Sequence, residues 1–287
     1  YNYARLYNEA LFNDSHALRY SEADLDSYRK ADDPYFHPDV NWYDAVLRNY
    51  APVSKYSLTL SGGQNRARYF VLLGALRTDG LYTGTAKLSE FSTNSSFVQY
   101  NVRANVDMDI TNSLTVSTRL GFTVSDKNNP AGYTYGAMFD LLSSLPSNSF
   151  PIYNRDASYG GNSRYTNPWG NLLEQGQFAV NKRTSQTSIL ATQRLHMLVE
   201  GLSLSAAVSF NNSFTGYSAK SRNYERFAVR KTVDGGSDYV KFGENTSLKA
   251  SEDRFDQWRN YTFRTFLKYG AAFAKNQTLK QQNAMWQ

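Results

Sequence analysis

The chain has 287 residues, a net charge of +6, a mean hydropathy of -0.57 and no cysteine. Without cysteine there is neither a disulfide framework nor a thiolate metal site, and the Lys and Arg residues are dispersed rather than striped, which argues against a nucleic-acid surface. No run of about 20 apolar residues occurs, so helical membrane spans are excluded, but a β-barrel is not, because each barrel strand turns only every second residue to lipid.

In chain order, the first signal is helical. Ser21 is placed to cap a helix through Lys30, with Glu22 and Asp24 in its first turn and Asp32, Asp33 and Pro34 beyond its end. Lys55 to Leu60 then alternates Tyr56, Leu58 and Leu60 with Ser57 and Thr59, and a turn is expected over residues 61–65, with Gly62 and Gly63 supplying positive φ. Arg68 to Leu76 reads as the returning strand.

The strongest pattern lies between Phe97 and Val124. Val98, Tyr100, Val102, Ala104, Val106 and Met108 alternate with Gln99, Asn101, Arg103, Asn105, Asp107 and Asp109. After a break at residues 111–113, Leu114, Val116, Leu120, Phe122 and Val124 alternate with Thr115, Ser117, Arg119 and Thr123. A period of two over this length predicts two long antiparallel strands, one face apolar and one polar. Soluble strands have a modal length of about 5–6 residues, whereas a membrane-crossing strand needs about 9–11. Gly136 to Leu145 is a second short helix candidate, stopped by Pro146. Residues 187–199, 202–211 and 260–269 complete the strand candidates, with His196 inside one of them and a turn at Glu200 and Gly201. A last turn is expected near Lys275 and Asn276, with a strand beginning near residue 277.

The breaks near residues 61–67, 111–113, 200–201 and 274–277 are short, and those at 77–96, 126–185 and 212–256 are long. Outer-membrane barrels alternate short periplasmic turns with longer extracellular loops. The fold class expected is therefore all-β: part of a large antiparallel transmembrane β-barrel, with residues 1–53 as an extracellular loop region and residues 54–287 as partial barrel wall. The outer side of that wall would face outer-membrane lipid.

Several segments resemble the SusC/RagA family of TonB-dependent outer-membrane transporters. They are Tyr7-Asn8-Glu9-Ala10, Asp33-Pro34, Pro38 to Asp44, Leu60-Ser61-Gly62-Gly63 with Arg68 to Val71, Pro151-Ile152-Tyr153, and Asn167-Pro168-Trp169-Gly170-Asn171-Leu172 with Gly176. The resemblance implies a barrel of 22 strands, of which about eight are represented here, the last incomplete. It also implies an N-terminal plug domain energised through TonB, a SusD-like surface lipoprotein as lid, and oligosaccharides or peptides as substrate. The plug and its TonB contact are expected outside this stretch. Localisation would be the bacterial cell outer membrane. Two alternatives are a secreted soluble β-protein that binds carbohydrate through surface aromatics, and a passive porin.

The loop aromatics Trp42, Tyr43, Tyr153, Tyr159, Tyr165 and Trp169 are candidates for ligand or lid contact, because aromatics supply large rigid contact area. For any one of them, packing of loop against loop is the weightier expectation. Gln99, Asn101, Arg103, Asn105, Asp107 and Arg119 are expected to face the lumen or the plug. No catalytic set, cofactor or metal site is expected. Asp24, Asp26, Asp32, Asp33 and Asp39 lack the calcium-loop pattern, and His16, His37 and His196 lack ligand spacing. The basic residues Lys220, Arg222, Arg226, Arg230 and Lys231 read as a solvated loop. No nucleophile elbow or phosphate-loop pattern points to an enzyme.

Overall fold

The computed structural model describes residues 1–83, 94–131 and 136–270. Seven long strands form one antiparallel sheet: β1 (Val53–Gln64), β2 (Ala67–Asp79), β3 (Ser96–Asp109), β4 (Leu114–Pro130), β5 (Gly176–Arg194), β6 (Leu202–Ser221) and β9 (Lys249–Tyr269). A separate hairpin, β7 (Arg226–Lys231) with β8 (Ser237–Phe242), is inserted between β6 and β9. Five helices accompany them: α1 (Asn2–Asn13), α2 (Glu22–Lys30), α3 (Trp42–Val46), α4 (Ala137–Ser144) and α5 (Pro168–Glu174). The expected all-β wall is thus present. The strand expected from residue 277, and the turn before it, lie outside the described residues.

Each strand of the sheet pairs with its predecessor in unbroken antiparallel register, apart from a shift at Ala219/Lys220. Because paired residues share a face, the register extends the β3–β4 alternation across the sheet. One face carries Leu58, Leu73, Val102, Phe122, Ile189, Val208 and Phe263. The other carries Thr59, Asn101, Arg103, Thr123, Gln186, Ser209 and Asn260. Strand β2 is the exception, since Phe70, Leu72 and Leu76 share the polar face.

The apolar face is not covered by a second layer. Tyr56, Leu58, Tyr100, Phe122, Ile189, Val208, Tyr261 and Phe263 are all exposed. Along β6 the apolar stretch runs from Leu204 to Phe210 and ends at Asn212. On β4 and β5 it ends at the Asp126–Arg183 ion pair, 2.8 Å. Tyr56, Tyr100 and Phe214 occupy this same level of the register, an aromatic edge to an apolar band.

The strands run further than the alternation predicts. The ladder continues to Gln64 in β1, so the β1–β2 turn is only Asn65-Arg66. Gly62 and Gly63 are strand residues without positive φ. The Tyr69 ring lies across Gly62, where a Cβ would come 2.7 Å from its hydroxyl and push that exposed side chain aside. The long connections shrink to residues 80–95, 131–175 and 222–248. At the other end, β5 stops at Arg194, so residues 195–199 belong to the turn and not to a strand, and His196 is an exposed turn residue. Met197 and Leu198 project into the surroundings. Gly201 does occupy positive φ, +83°, where a Cβ would strike the Gly270 carbonyl at 2.0 Å.

All long connections and residues 1–52 gather at one end of the sheet, and the chain's buried core sits there. Trp42, Val46, Met138, Leu142, Leu145, Phe150 and Leu172 form one cluster, which joins α3, α4 and α5. Ala4, Leu25 and Tyr28 form a second between α1 and α2. The α2 start has the expected cap: Ser21 Oγ accepts from Asp24 N while Asp24 accepts from Ser21 N.

Candidate functional site

The loop assembly is built around buried side-chain amides. Asn167 caps α5 by accepting from the backbone N–H groups of Trp169 and Gly170, and Pro168 takes the first helical position, where its missing N–H costs nothing. Its own amide donates to the carbonyls of Ile152 (2.8 Å) and Gly160 (2.9 Å). Its carbonyl accepts from the Tyr224 hydroxyl at 2.9 Å, which also reaches Asn171 Oδ1 at 2.6 Å. A Cβ on Gly170 would lie 2.7 Å from the Tyr224 ring, so the glycine makes room for that tyrosine. The Asn-Pro-Trp-Gly-Asn run is therefore a clasp that fastens the 131–175 connection to the 222–248 connection. Asn8 does the same on a smaller scale, donating to Tyr20 O and accepting from the N–H groups of Arg19 and Tyr20.

The aromatic candidates divide into three groups. Trp42 is 2% exposed, edge-on to Phe150 at 5.5 Å, and cannot stack on a ligand without dismantling the core. Tyr165 also packs against that core. Tyr153, Tyr159 and Trp169 come together: the Trp169 indole N–H donates to the Tyr153 hydroxyl at 2.7 Å, and the Tyr153 and Tyr159 rings lie 5.3 Å apart. Tyr43 stands apart on α3. Tyr43 and Tyr153 are the two candidates that present large open ring surface, 44% and 41% exposed.

Behind Tyr159 lies a cavity of about 360 Å³ lined by Tyr159, Glu174, Arg222, Tyr224, Phe227 and Thr246. The Tyr159 hydroxyl donates to Glu174 at 2.9 Å, and the Arg222 guanidinium pairs with the same carboxylate. Burial, then the Glu174 charge, push the Tyr159 phenol well above its ordinary range, so it remains a donor. The basic run is consequently not a simple solvated loop. Arg222 is committed to Glu174, Arg226 donates to Asn162 O, and Lys231 sits over the Phe36 ring. Glu174 and Tyr224 escaped sequence reasoning because no motif marks them. Their roles come from partners about fifty residues away.

The acidic residues of the N-terminal region serve local bonds. His37 contacts Asp24 at 2.9 Å and Asp33 at 3.4 Å, and Asp26 pairs with Lys30.

The polar sheet face holds the second candidate group. Gln99, Asn101, Arg103, Asn105, Asp107 and Arg119 all lie on it, as the alternation predicts. Arg119 is tied to Asp107 at 2.8 Å. Arg103, Asn105 and Arg119 border a shallow groove of about 320 Å³, completed by Gln186, Ser188, Ser209 and Asn211.

A long-stranded antiparallel sheet with an uncovered apolar face and a polar opposite face defines a barrel-wall class of fold. Comparison with solved structures agrees. The chain is similar to a chain of the RagAB peptide transporter, with 15% identity and a TM-score of 0.53 over 93% of this chain and 37% of that one. It is similar also to a chain of the RagAB peptide importer in its open-open state, with 16% identity and a TM-score of 0.50 over 81% and 31%. The chain thus spans about a third of the length of those it matches. At this identity the likeness establishes the fold alone, that of a stretch of long-stranded antiparallel sheet in those chains. No family model and no curated protein matches the sequence.

Proposed function

We propose that this chain is wall and outer-loop assembly of a SusC-like, TonB-dependent importer of the bacterial outer membrane, working with a SusD-like surface lipoprotein. The observation that supports this reading best is the uncovered apolar band. In water such a band would be a contiguous aggregation surface. Against lipid it is the stable outer face of a barrel, whose polar side meets a wet interior. Residues 1–53 and the three long connections are then extracellular, and residues 54–287 supply wall. Coupling to TonB would run through a plug domain outside this stretch.

Peptides are the preferred substrate class over oligosaccharides, since the similar structures are peptide transporters. The work is gated passage without covalent chemistry. The clasp at Asn167 keeps the loop assembly rigid, and Tyr43 and Tyr153 offer flat apolar surface to substrate or lid. Rigid aromatic contacts lose little entropy on binding.

Spin labels on single cysteines in the full-length protein test the reading. Labels at Val102 and Val208 should be quenched by a lipid-soluble relaxant, and labels at Asn101 and Ser209 by a water-soluble one. Equal water access on both faces would identify a soluble β-protein instead. Uptake of a tagged peptide should collapse when the proton-motive force is dissipated; persistence would leave a passive pore.

A further inference from the structure

We infer that the β5–β6 turn inserts into lipid: Met197, Leu198 and Val199 enter the acyl chains of the periplasmic leaflet and set the depth of the wall in the bilayer. This rests on the reading of the sheet as barrel wall. Three short turns close the end of the sheet opposite the loop assembly, and they differ in kind. The β1–β2 turn is Asn65-Arg66, and the β3–β4 turn contains Thr111, Asn112 and Ser113, so both are polar. The β5–β6 turn spans residues 195–201 and carries an apolar triplet that no described residue covers: Met197 is 86% exposed, Leu198 74% and Val199 46%. A longer turn with three bare apolar side chains needs an apolar surrounding.

The register places that turn at the edge of the hydrocarbon. An apolar band about 25 Å tall, on strands tilted by about 40°, takes roughly ten residues of each strand. Counted down β6 from Phe210, just below Asn212, roughly ten residues end at Gly201. Counted down β4 from Val124, they end at Thr115, beside the polar β3–β4 turn. Tyr269 lies on the apolar face opposite Leu202, at the level where an interfacial aromatic belongs. The two faces of the sheet offer the triplet different surroundings. Toward the interior it would meet Arg194, Ser203 and Lys268, which share one register level of the polar face. Arg194 there already donates to Asn112 O at 2.7 Å. Toward the outside the triplet continues Leu202, Leu204 and Leu267, the last two exposed on the apolar face. The turn also bonds to itself, as a non-aqueous medium requires: Leu195 N donates to Leu202 O, and Leu198 N and Val199 N both donate to Leu195 O. His196 and Glu200 bracket the triplet and supply polar groups at headgroup level.

The test labels the full-length protein with an environment-sensitive fluorophore on single cysteines, Leu198→Cys, Asn112→Cys and Val208→Cys. Each is reconstituted in phosphatidylcholine vesicles whose acyl chains are brominated near the headgroup or near their ends. Only protein with heat-modifiable gel mobility, the mark of a closed barrel, is compared. Bromine near the headgroup should quench the Leu198 label about threefold more than the Asn112 label, as for an apolar group seated about 5–10 Å into the headgroup boundary. The Val208 label should be quenched in both kinds of vesicle. In the triple variant Met197→Ser, Leu198→Ser and Val199→Ser, a label at Leu204→Cys should shift toward quenching by the headgroup-proximal bromine, because the wall slides toward the periplasm. A Leu198 label quenched no more than Asn112, beside a quenched Val208, would overturn the insertion and assign the turn to a protein contact. A Leu204 label unmoved by the triple variant would overturn the part of the turn in setting depth. An unquenched Val208 label would overturn the wall reading itself.

Discussion

The sheet and the loop assembly bury opposite things. In the loop assembly the large apolar side chains are inside: Trp42, Met138, Leu142, Phe150 and Leu172 are buried, and the Asn167 side chain is interior with both its oxygen and its NH2 group fully bonded. In the sheet the large apolar side chains are outside, and among the described residues the buried apolar side chains of its strands are Pro130, at the loop end of β4, and Ala219. On the proposed reading, one chain obeys two solvents. The loop assembly is organised as water requires, with an apolar centre. On the reading proposed above, the sheet is organised as hydrocarbon requires, with its inner strands hydrogen-bonded on both sides and its greasy residues turned outward.

Substitutions on the two faces of one strand break or sharpen this contrast most strongly. Val208→Arg, placed in the apolar band beside Ile189 and Phe263, should destabilise the protein in bilayers by about 2–4 kcal/mol. Ser209→Arg, one residue on, should change stability by no more than about 0.5 kcal/mol. Urea unfolding in lipid vesicles reads both, and equal costs would abolish the distinction. Next in size is Asn167→Ala. It removes a cap and two buried bonds, and should cost the loop assembly about 2–3 kcal/mol while leaving the sheet intact. Limited proteolysis should then cut within residues 150–175 before any strand is cut.

Ser21→Ala is smaller, about 1 kcal/mol, and confined to α2; hydrogen exchange of residues 22–30 reports it. The least effect is pH-dependent. The bond from His37, aided by Ser21, holds the Asp24 carboxyl below the usual carboxylate range. Its contribution is complete above the unfolded-chain value of roughly 4 and is lost as pH falls through the lowered folded value. Protection of α2 should therefore drop on acidification below about pH 4 in the parent, and Asp24→Asn should show a lower, flatter profile.

The same contrast explains what could be read from the sequence. The faces of β3 and β4 were legible because one side of each is apolar almost throughout, from Val98 to Met108 and, with Thr118 as the exception, from Leu114 to Val124. The helix after Ser21 was legible because its cap is local. The strand ends were not. Above the apolar band β4 is polar on both faces, so Ser125 to Asn129 keep their ladder pairing while losing the alternation that would reveal it. Helix α5 has seven residues and no amphipathic period to detect, and α1 begins without a side-chain cap. Trp42 could not be told from a ligand-stacking aromatic, since its burial depends on Phe150 and Leu172 far along the chain. The clasp was visible only as a motif. Its purpose needed Tyr224, 57 residues later.

The order of the strands in space has one more consequence. Every strand of the sheet bonds only to those immediately before and after it in the chain, and β7–β8 leaves the β6–β9 ladder running past it. Such a meander can gain or lose a hairpin without renumbering a single remaining pair. Wall circumference and rim decoration are therefore separable inheritances: evolution can rewrite the ornaments between two staves while the staves keep their places.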